Sequence, residues 1–163
     1  MKISKITTKI GDMVAISDDN YLYLLEFANS YVLDKKIKKN TNIELIKGDN
    51  DISKLVEKEM NQYLSGNLKD FSVPISLIGS DFSKSVWQEI SKIPYNDSIS
   101  YSEIALNIGK ELSFRAVANA CGGNPIIIII PCHRVISKDG SLGGYSSGID
   151  RKICLRDLEK TYG

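Results

Sequence analysis

Cys132, His133 and Arg134 put a nucleophile, a base and a fixed positive charge in consecutive positions. A cysteine thiol titrates near ~8.5, so little of it is thiolate at neutral pH unless a nearby base or positive charge favours ionisation. His133 and Arg134 could supply that environment. On an extended segment neighbouring side chains point to opposite sides, so we expect a bridging water rather than a direct bond between Cys132 and His133. Glu159 is the candidate acceptor that would orient the histidine.

The residues before this group predict a rigid support for it. Residues 126–130 are five consecutive isoleucines, which predict a buried, extended segment that Pro131 ends just before the cysteine. On residue types alone a structural explanation is favoured, in which Cys132 is a small buried hydrophobe and His133 is a surface residue whose hydrogen bonds are satisfied.

The composition is that of a globular protein. With 163 residues, of which 42% are hydrophobic, the chain can form one ordinary domain or a small domain joined to a compact one. The three cysteines include no C-x-x-C pair and there is one histidine, so we expect neither a disulfide framework nor a metal site. The longest apolar run is too short for a bilayer and no secretory signal is evident. We therefore expect no membrane association and a location in the cytoplasm, or in the nucleus if the source is eukaryotic.

The charges are unevenly distributed although the formal net charge is only +1. Residues 110–138 contain one acidic residue, Glu111, and four cations. These cations are Lys110, Arg115, Arg134 and Lys138. Such an excess could contact a phosphate backbone, but charge alone favours a merely solvated surface.

The N-terminal half has the pattern of an α/β domain. Apolar and polar residues alternate from Met13 to Ile16 and from Tyr21 to Phe27, which predicts a hairpin in a small antiparallel sheet. From Asp51 the period becomes helical, and Gly66 should end that helix. The helical stripe comprises Ile52, Leu55, Val56, Met60, Tyr63 and Leu64. We assign residues 1–78 to this N-terminal domain, with a structural role.

The C-terminal half, residues 79–163, has a mainly α pattern. A helix carrying Phe82, Val86 and Ile90 should stop before Pro94. Residues 100–103 have the form of a capping box for a helix that should reach about residue 109. A third helix should run from about residue 113 to the glycines at 122 and 123, and the two short helices make a plausible helix-turn-helix. A final helix is suggested by Ile149, Ile153 and Leu158.

The decisive signal is a resemblance. Residues 82–159 resemble the O6-alkylguanine-DNA alkyltransferase family, also called methylated-DNA–protein-cysteine methyltransferases. The matching motifs, in the family's order, are Val86-Trp87, Ile93-Pro94, Ser100-Tyr101, Ile104-Ala105, Arg115-Ala116-Val117, Asn124-Pro125, Pro131-Cys132-His133-Arg134-Val135-Ile136 and Gly143-Gly144-Tyr145-Ser146. The N-terminal half resembles the family only in length and in its strands-then-helix layout.

The resemblance implies stoichiometric, irreversible transfer of an alkyl group, such as methyl, from O6 of guanine in double-stranded DNA to Cys132 after base flipping. It implies O4 of thymine as a second candidate position from which the alkyl group is removed, and implies a monomer without a cofactor. His133 would activate the thiol through water, Glu159 would orient His133, and Asn124 would tie the helix-turn-helix to the active-site segment.

The resemblance also implies roles in handling the base. Tyr101 would help rotate the damaged nucleotide and Arg115 would fill the gap in the base stack. The pocket would be formed by Val135, Tyr145, Ser146 and Ser147. Many relatives have glycine at the position of Ser147, so we expect this serine to narrow the pocket mouth, unless its side chain points to solvent.

Three other functions stay open on the sequence. A lesion sensor that binds alkylated DNA without reacting is disfavoured because Cys132 is retained. A cysteine hydrolase would regenerate its thiol after each turnover, and a plain helix-turn-helix binding module would not depend on Cys132. Asn119 and the pair Cys121-Gly122 depart from the family's usual choices in the recognition helix, which affects the expected affinity for DNA.

Overall fold

The computed structural model describes residues 1–40 and 43–163 of the chain. The chain divides into two compact units, Met1–Ile78 and Gly79–Gly163. No helix in this described part is long and apolar enough to cross a membrane.

The N-terminal unit is built on a four-stranded sheet with the order β3-β2-β1-β4. Its elements are β1 (Lys2–Ile6), β2 (Met13–Ser17), β3 (Leu22–Phe27), α1 (Leu33–Asn40), β4 (Ile46–Lys47) and α2 (Asp51–Leu64). The predicted hairpin is confirmed, since β2 and β3 pair in antiparallel register from Met13 opposite Phe27. The sheet is mixed rather than purely antiparallel, because β4 runs parallel to β1 after the chain has crossed over through α1.

Helix α2 begins and ends where local chemistry dictates. The Asn50 side chain accepts from the backbone N–H of Ser53, whose hydroxyl accepts from the Asn50 backbone, so the first turn is capped reciprocally. Gly66 follows the helix with a φ of +79°, a conformation that glycine adopts without steric cost. The predicted stripe faces the core, with Leu55 alone only half-buried.

The C-terminal unit contains the predicted helices. Its elements are α3 (Asp81–Ile90), β5 (Ile99–Ser100), α4 (Tyr101–Asn107), α5 (Phe114–Gly122), a 3₁₀ turn (Cys132–Arg134), β6 (Val135–Ile136) and α6 (Ile149–Tyr162). Helices α4 and α5 form the helix-turn-helix. The buried indole of Trp87 in α3 donates to the carbonyl of Ala120 in α5 over 2.9 Å, which fixes α3 against the end of α5.

The isoleucine run is buried but is not extended. Ile128 has a φ of +72°, and the N–H of Ile130 donates to the carbonyl of Ile126 over 3.0 Å, so the run folds back on itself. A β-branched residue in this region of φ is strained. The strain is offset by burial, because four of the five isoleucines are at most 1% exposed.

The segment that carries Cys132 is likewise not extended. The N–H of Cys132 donates to the carbonyl of Ile130 and that of Arg134 to the carbonyl of Pro131, over 2.8 and 2.9 Å. The second of these bonds, with the bond from the N–H of Val135 to the carbonyl of Cys132, forms the 3₁₀ turn, and the first makes a tighter turn just before it. The expectation of alternating side-chain directions at this segment was therefore wrong.

Candidate active site

Cys132 is held from one side by Asn124, which follows α5. The Asn124 side chain is fully buried, and its Nδ2 donates to the carbonyl of Ile130 over 2.8 Å and to Sγ of Cys132 over 3.1 Å. Its Oδ1 accepts from the N–H of Ile126 over 3.0 Å. A donor aimed at the sulfur stabilises the thiolate relative to the thiol. Asn124 thus ties the end of α5 to the nucleophile while closing the isoleucine turn.

His133 points away from solvent and onto the last helix. Its imidazole is fully buried, with Nε2 2.8 Å from Oε1 of Glu159 in α6. Burial lowers the pKa of His133, although the hydrogen bond to Glu159 opposes that shift. The ring is therefore neutral near pH 7. Because the carboxylate can only accept, we assign the proton to Nε2, which makes Nδ1 the basic atom of the ring.

Glu159 serves Arg134 as well as His133. Nη2 of Arg134 lies 2.7 Å from Oε1, and its Nε lies 3.1 Å from both carboxylate oxygens. Nη1 of the same guanidinium donates to the carbonyl of Ile93 over 2.7 Å. The N–H of Asn96 completes the set by donating to Oε2 over 3.0 Å. Glu159 is thus the centre of a buried network, in which it pairs with Arg134 and accepts from Asn96 as well as orienting His133.

This network corrects the grouping of Arg134 with three other cations on one surface, whether that surface is merely solvated, as charge alone favoured, or contacts phosphate. Its side chain is only 9% exposed and is paired internally. Lys110, Arg115 and Lys138 remain exposed. The sequence could not separate these cations, because a buried arginine and a surface arginine look alike in a charge pattern.

Lys152 in α6 is the residue that sequence reasoning missed. It is fully buried, and its ammonium donates to the carbonyls of Val135 over 2.8 Å, of Gly144 over 3.2 Å, and of Leu142. Burial lowers the pKa of Lys152 to about 8, while the nearby Cys132 opposes this shift. Lys152 therefore connects residues 142–144 to the end of the Cys132 turn and places a cation near the nucleophile.

Tyr101 is brought to the same place by strand pairing. Strands β5 and β6 pair in parallel, with Ser100 opposite Ile136, so the first residue of α4 lies near the segment that follows Cys132. A Cβ at Gly143, where φ is +68°, would lie 3.0 Å from Oη of Tyr101, so the loop packs directly on the phenol. Burial, together with the charges of Cys121 and Cys132, raises the pKa of Tyr101 to about 12. The phenol is accordingly a hydrogen-bond donor at neutral pH.

The remaining predicted pocket residues differ in exposure. Val135 is fully buried and ends the 3₁₀ turn, whereas Tyr145 and Ser146 are half-buried. Ser147 is only 6% exposed, so the alternative in which its side chain points into solvent is wrong. The carbonyl of Ser147 accepts from Nη1 of Arg151 over 3.3 Å.

Arg115 lies outside the buried cluster. It is exposed on the first turn of α5, and its guanidinium carbon is 5.8 Å from the ring centroid of Phe114. Within the described residues no group of three or more histidines, cysteines or acidic residues is placed to hold a metal ion.

Comparisons with known proteins agree on one family. A family model described as 6-O-methylguanine DNA methyltransferase, DNA binding domain, matches residues 81–161. The inducible methylated-DNA–protein-cysteine methyltransferase of Bacillus subtilis (strain 168) is 46% identical over 116 residues, or 71% of this chain and 65% of that protein. A probable methylated-DNA–protein-cysteine methyltransferase of Acanthamoeba polyphaga mimivirus is 39% identical over 161 residues, or 98% of this chain and 97% of that protein.

A solved structure is similar over the whole chain. The crystal structure of Mycobacterium tuberculosis OGT in complex with DNA matches with a TM-score of 0.89 at 34% identity, covering 100% of this chain and 95% of that one. The aligned part of the chain spans just under two thirds of the B. subtilis relative, but nearly all of the viral relative and of the mycobacterial structure.

Proposed function

Since the chain belongs to the methylated-DNA–protein-cysteine methyltransferase family, we propose that it repairs DNA by direct reversal. It moves an alkyl group, methyl above all, from O6 of guanine to Cys132. The observation that carries this proposal is the surroundings of one sulfur atom: Asn124 donates to Sγ over 3.1 Å, and the following residue is a buried neutral imidazole bound to Glu159. Asn124 thus supplies a donor to the sulfur, and His133 is the candidate base for its proton.

The transfer requires one bond to form and one to break. Sγ of Cys132 loses its proton through a water to Nδ1 of His133, and the thiolate attacks the alkyl carbon. The bond between that carbon and O6 breaks, and its electron pair stays on the guanine. The guanine then takes up a proton, so that overall the thiol hydrogen replaces the alkyl group. Tyr101, which is protonated at neutral pH, donates a hydrogen bond to the guanine ring as negative charge develops there.

The product explains why each molecule acts once. A thioether has no easy leaving group, so nothing in the site can regenerate the thiol. One protein molecule therefore repairs one lesion. This separates the proposal from a cysteine hydrolase, whose acyl intermediate is released by water.

Helices α4 and α5 are the surface for double-stranded DNA. Helix α5 carries no acidic residue in its first turn, and Ser113 makes no side-chain capping bond, so the first amides of this helix can face a phosphate group. A guanine inside a duplex is out of reach of Cys132, so the nucleotide must rotate out of the stack at a cost of a few kcal/mol. In this proposal Tyr101 assists the rotation and Arg115 occupies the vacated space.

The flipped base needs a pocket that recognises guanine. The pocket is enclosed by Val135, Tyr145, Ser146 and Ser147, with backbone groups selecting guanine.

The protein acts as a monomer inside the cell, because one cysteine per lesion requires no second subunit. Sedimentation of the protein alone and with duplex DNA tests the oligomeric state.

The central experiment is a stoichiometry measurement. The protein is incubated with excess duplex carrying O6-methylguanine, and the methylated peptide is identified by mass spectrometry. We expect a plateau at about one methyl group per molecule, all of it on Cys132. Cys132→Ala should take up no methyl yet still bind DNA, because phosphate contacts supply most of the affinity. Continuous turnover, or methylation mainly at Cys121 or Cys154, would contradict the proposal.

A further inference from the structure

The turn between α4 and α5 exposes apolar side chains beside Arg115. Leu112 is 97% exposed and Phe114 is 47% exposed, whereas the core-facing residues of α5 are Val117, Ala120 and Cys121. Two large apolar side chains exposed within three residues of each other lower solubility and add no buried area to the core of this unit. Their position at the tip of the helix-turn-helix indicates a contact with a partner.

Phe114 also has a specific relation to Arg115. The guanidinium carbon of Arg115 lies 5.8 Å from the centroid of the Phe114 ring, within the range of a cation–π contact. Among the described residues Arg115 forms no salt bridge, so this ring is the contact that limits where the guanidinium points. An arginine side chain that swings freely must be ordered before it can enter a base stack.

We infer that Phe114 is a positioning residue that holds Arg115 ready to enter the base stack of double-stranded DNA when the damaged nucleotide rotates out. The inference rests on the proposed function, in which Arg115 fills the gap. The exposed face of α5 suits this occupant, because it combines an arginine and an aromatic ring with no carboxylate. Aromatic and aliphatic side chains are also the ones that proteins insert at opened base steps.

The alternative is that Phe114 contributes only apolar surface, and a series of substitutions separates the two. Phe114→Leu keeps a large apolar side chain but removes the π face, whereas Phe114→Tyr keeps the π face. If Phe114 positions Arg115, Phe114→Leu slows nucleotide flipping by about two- to fivefold and Phe114→Tyr stays near the parent rate. In an Arg115→Ala background, Phe114→Leu has little further effect, because the group that it positions is gone.

The assay follows flipping without chemistry. In a Cys132→Ala background, stopped-flow fluorescence of a 2-aminopurine next to O6-methylguanine in a duplex reports the opening of the stack. Ile153→Ala, which alters a comparably exposed apolar residue on α6, is the control and should leave the rate unchanged. Thermal unfolding followed by Trp87 fluorescence verifies that each variant is folded.

Two results would overturn the inference. One is a Phe114→Leu variant that flips the nucleotide at the parent rate. The other is a Phe114→Leu substitution that slows flipping equally whether residue 115 is arginine or alanine. The first would leave Phe114 without a role, and the second would make it an independent DNA contact. Because this signal does not require methyl transfer, failure of the wild-type protein to become methylated would refute the proposed function without deciding the role of Phe114.

Discussion

Replacing Glu159 by glutamine tests whether this residue mainly orients a histidine or mainly neutralises a buried arginine. The carboxylate is 2% exposed and accepts from His133, Arg134 and the N–H of Asn96. Glutamine has nearly the same shape, so it removes one charge with little change in packing. It also turns an acceptor into a group with two N–H donors, one of which must face the guanidinium or the imidazole.

The size of the effect follows from burial of the pair. Two unit charges about 4 Å apart attract by about 4 kcal/mol at the effective dielectric constant typical of proteins. Removing one partner of a buried ion pair typically costs about 3–5 kcal/mol, because the other charge is left without compensation. Since the total stability of a domain is about 5–15 kcal/mol, Glu159→Gln should remove a large share of it.

Urea unfolding followed by the fluorescence of Trp87, the only tryptophan, measures this loss in the unit that contains the site. Asp157→Asn, which removes an exposed charge from the same helix, is the matched control and should change the unfolding free energy by less than about 1 kcal/mol. The double variant Glu159→Gln/Arg134→Met removes both charges and should recover much of the loss.

A different outcome would refute this reasoning. If the unfolding free energy of Glu159→Gln lay within about 1 kcal/mol of the wild-type value while methyl transfer slowed strongly, the carboxylate would act chiefly on His133. If the double variant did not recover stability, the uncompensated charge of Arg134 would not be the cause of the loss.

Three further predictions concern neighbouring residues. Because burial lowers the pKa of His133 below its ordinary 6.5, the unfolded chain binds that proton more readily, and the free energy of unfolding should fall as pH drops below about 6.5. His133→Gln should lessen that fall in urea titrations across pH, and equal slopes would contradict the assignment. Lys152→Met should lower the unfolding free energy by about 2–4 kcal/mol, because three carbonyls lose their donor. It should also slow transfer from both duplex and free-base substrates. A slower transfer from duplex alone would place the action of Lys152 at the DNA surface. Ser147→Gly should be inactivated faster by O6-benzylguanine at a nearly unchanged rate on O6-methylguanine DNA, and equal inactivation rates would remove Ser147 from the pocket mouth.

The parts of the fold that were predictable are those fixed by chemistry within a few residues. The hydroxyl of Ser100 accepts from the N–H of Glu103, and the Glu103 carboxylate accepts from the N–H of Ser100, so four residues determine where α4 begins. Strand β4 was not predictable, because it is two exposed residues long and its pairing with β1 depends on a distant part of the chain.

The isoleucine run shows a limit of apolar patterns. A run of buried residues is compatible with an extended strand, a helix or a compact turn, since each can be surrounded by core. Burial was predicted correctly for this segment, but its conformation was not. The turn is set by Asn124, which bonds to Ile126 at one end and Ile130 at the other. A single buried amide thus decides where the Cys132 turn begins.

Helix α6 shows why the site itself was only partly predictable. Ile149 and Ile153, which suggested the helix, are 42% and 41% exposed, whereas the buried face carries Lys152, Leu155 and Glu159. A hydrophobic pattern counts lysine and glutamate as polar and assigns them to solvent, so it predicts the helix but not its buried face. Glu159 was expected at His133 from its chemistry, whereas no signal pointed to Lys152. The error is informative, because burying charged groups is costly unless each has partners. The face that a hydrophobic pattern assigns to solvent is therefore the face that binds His133 through Glu159 and supports the loop beside Tyr101 through Lys152.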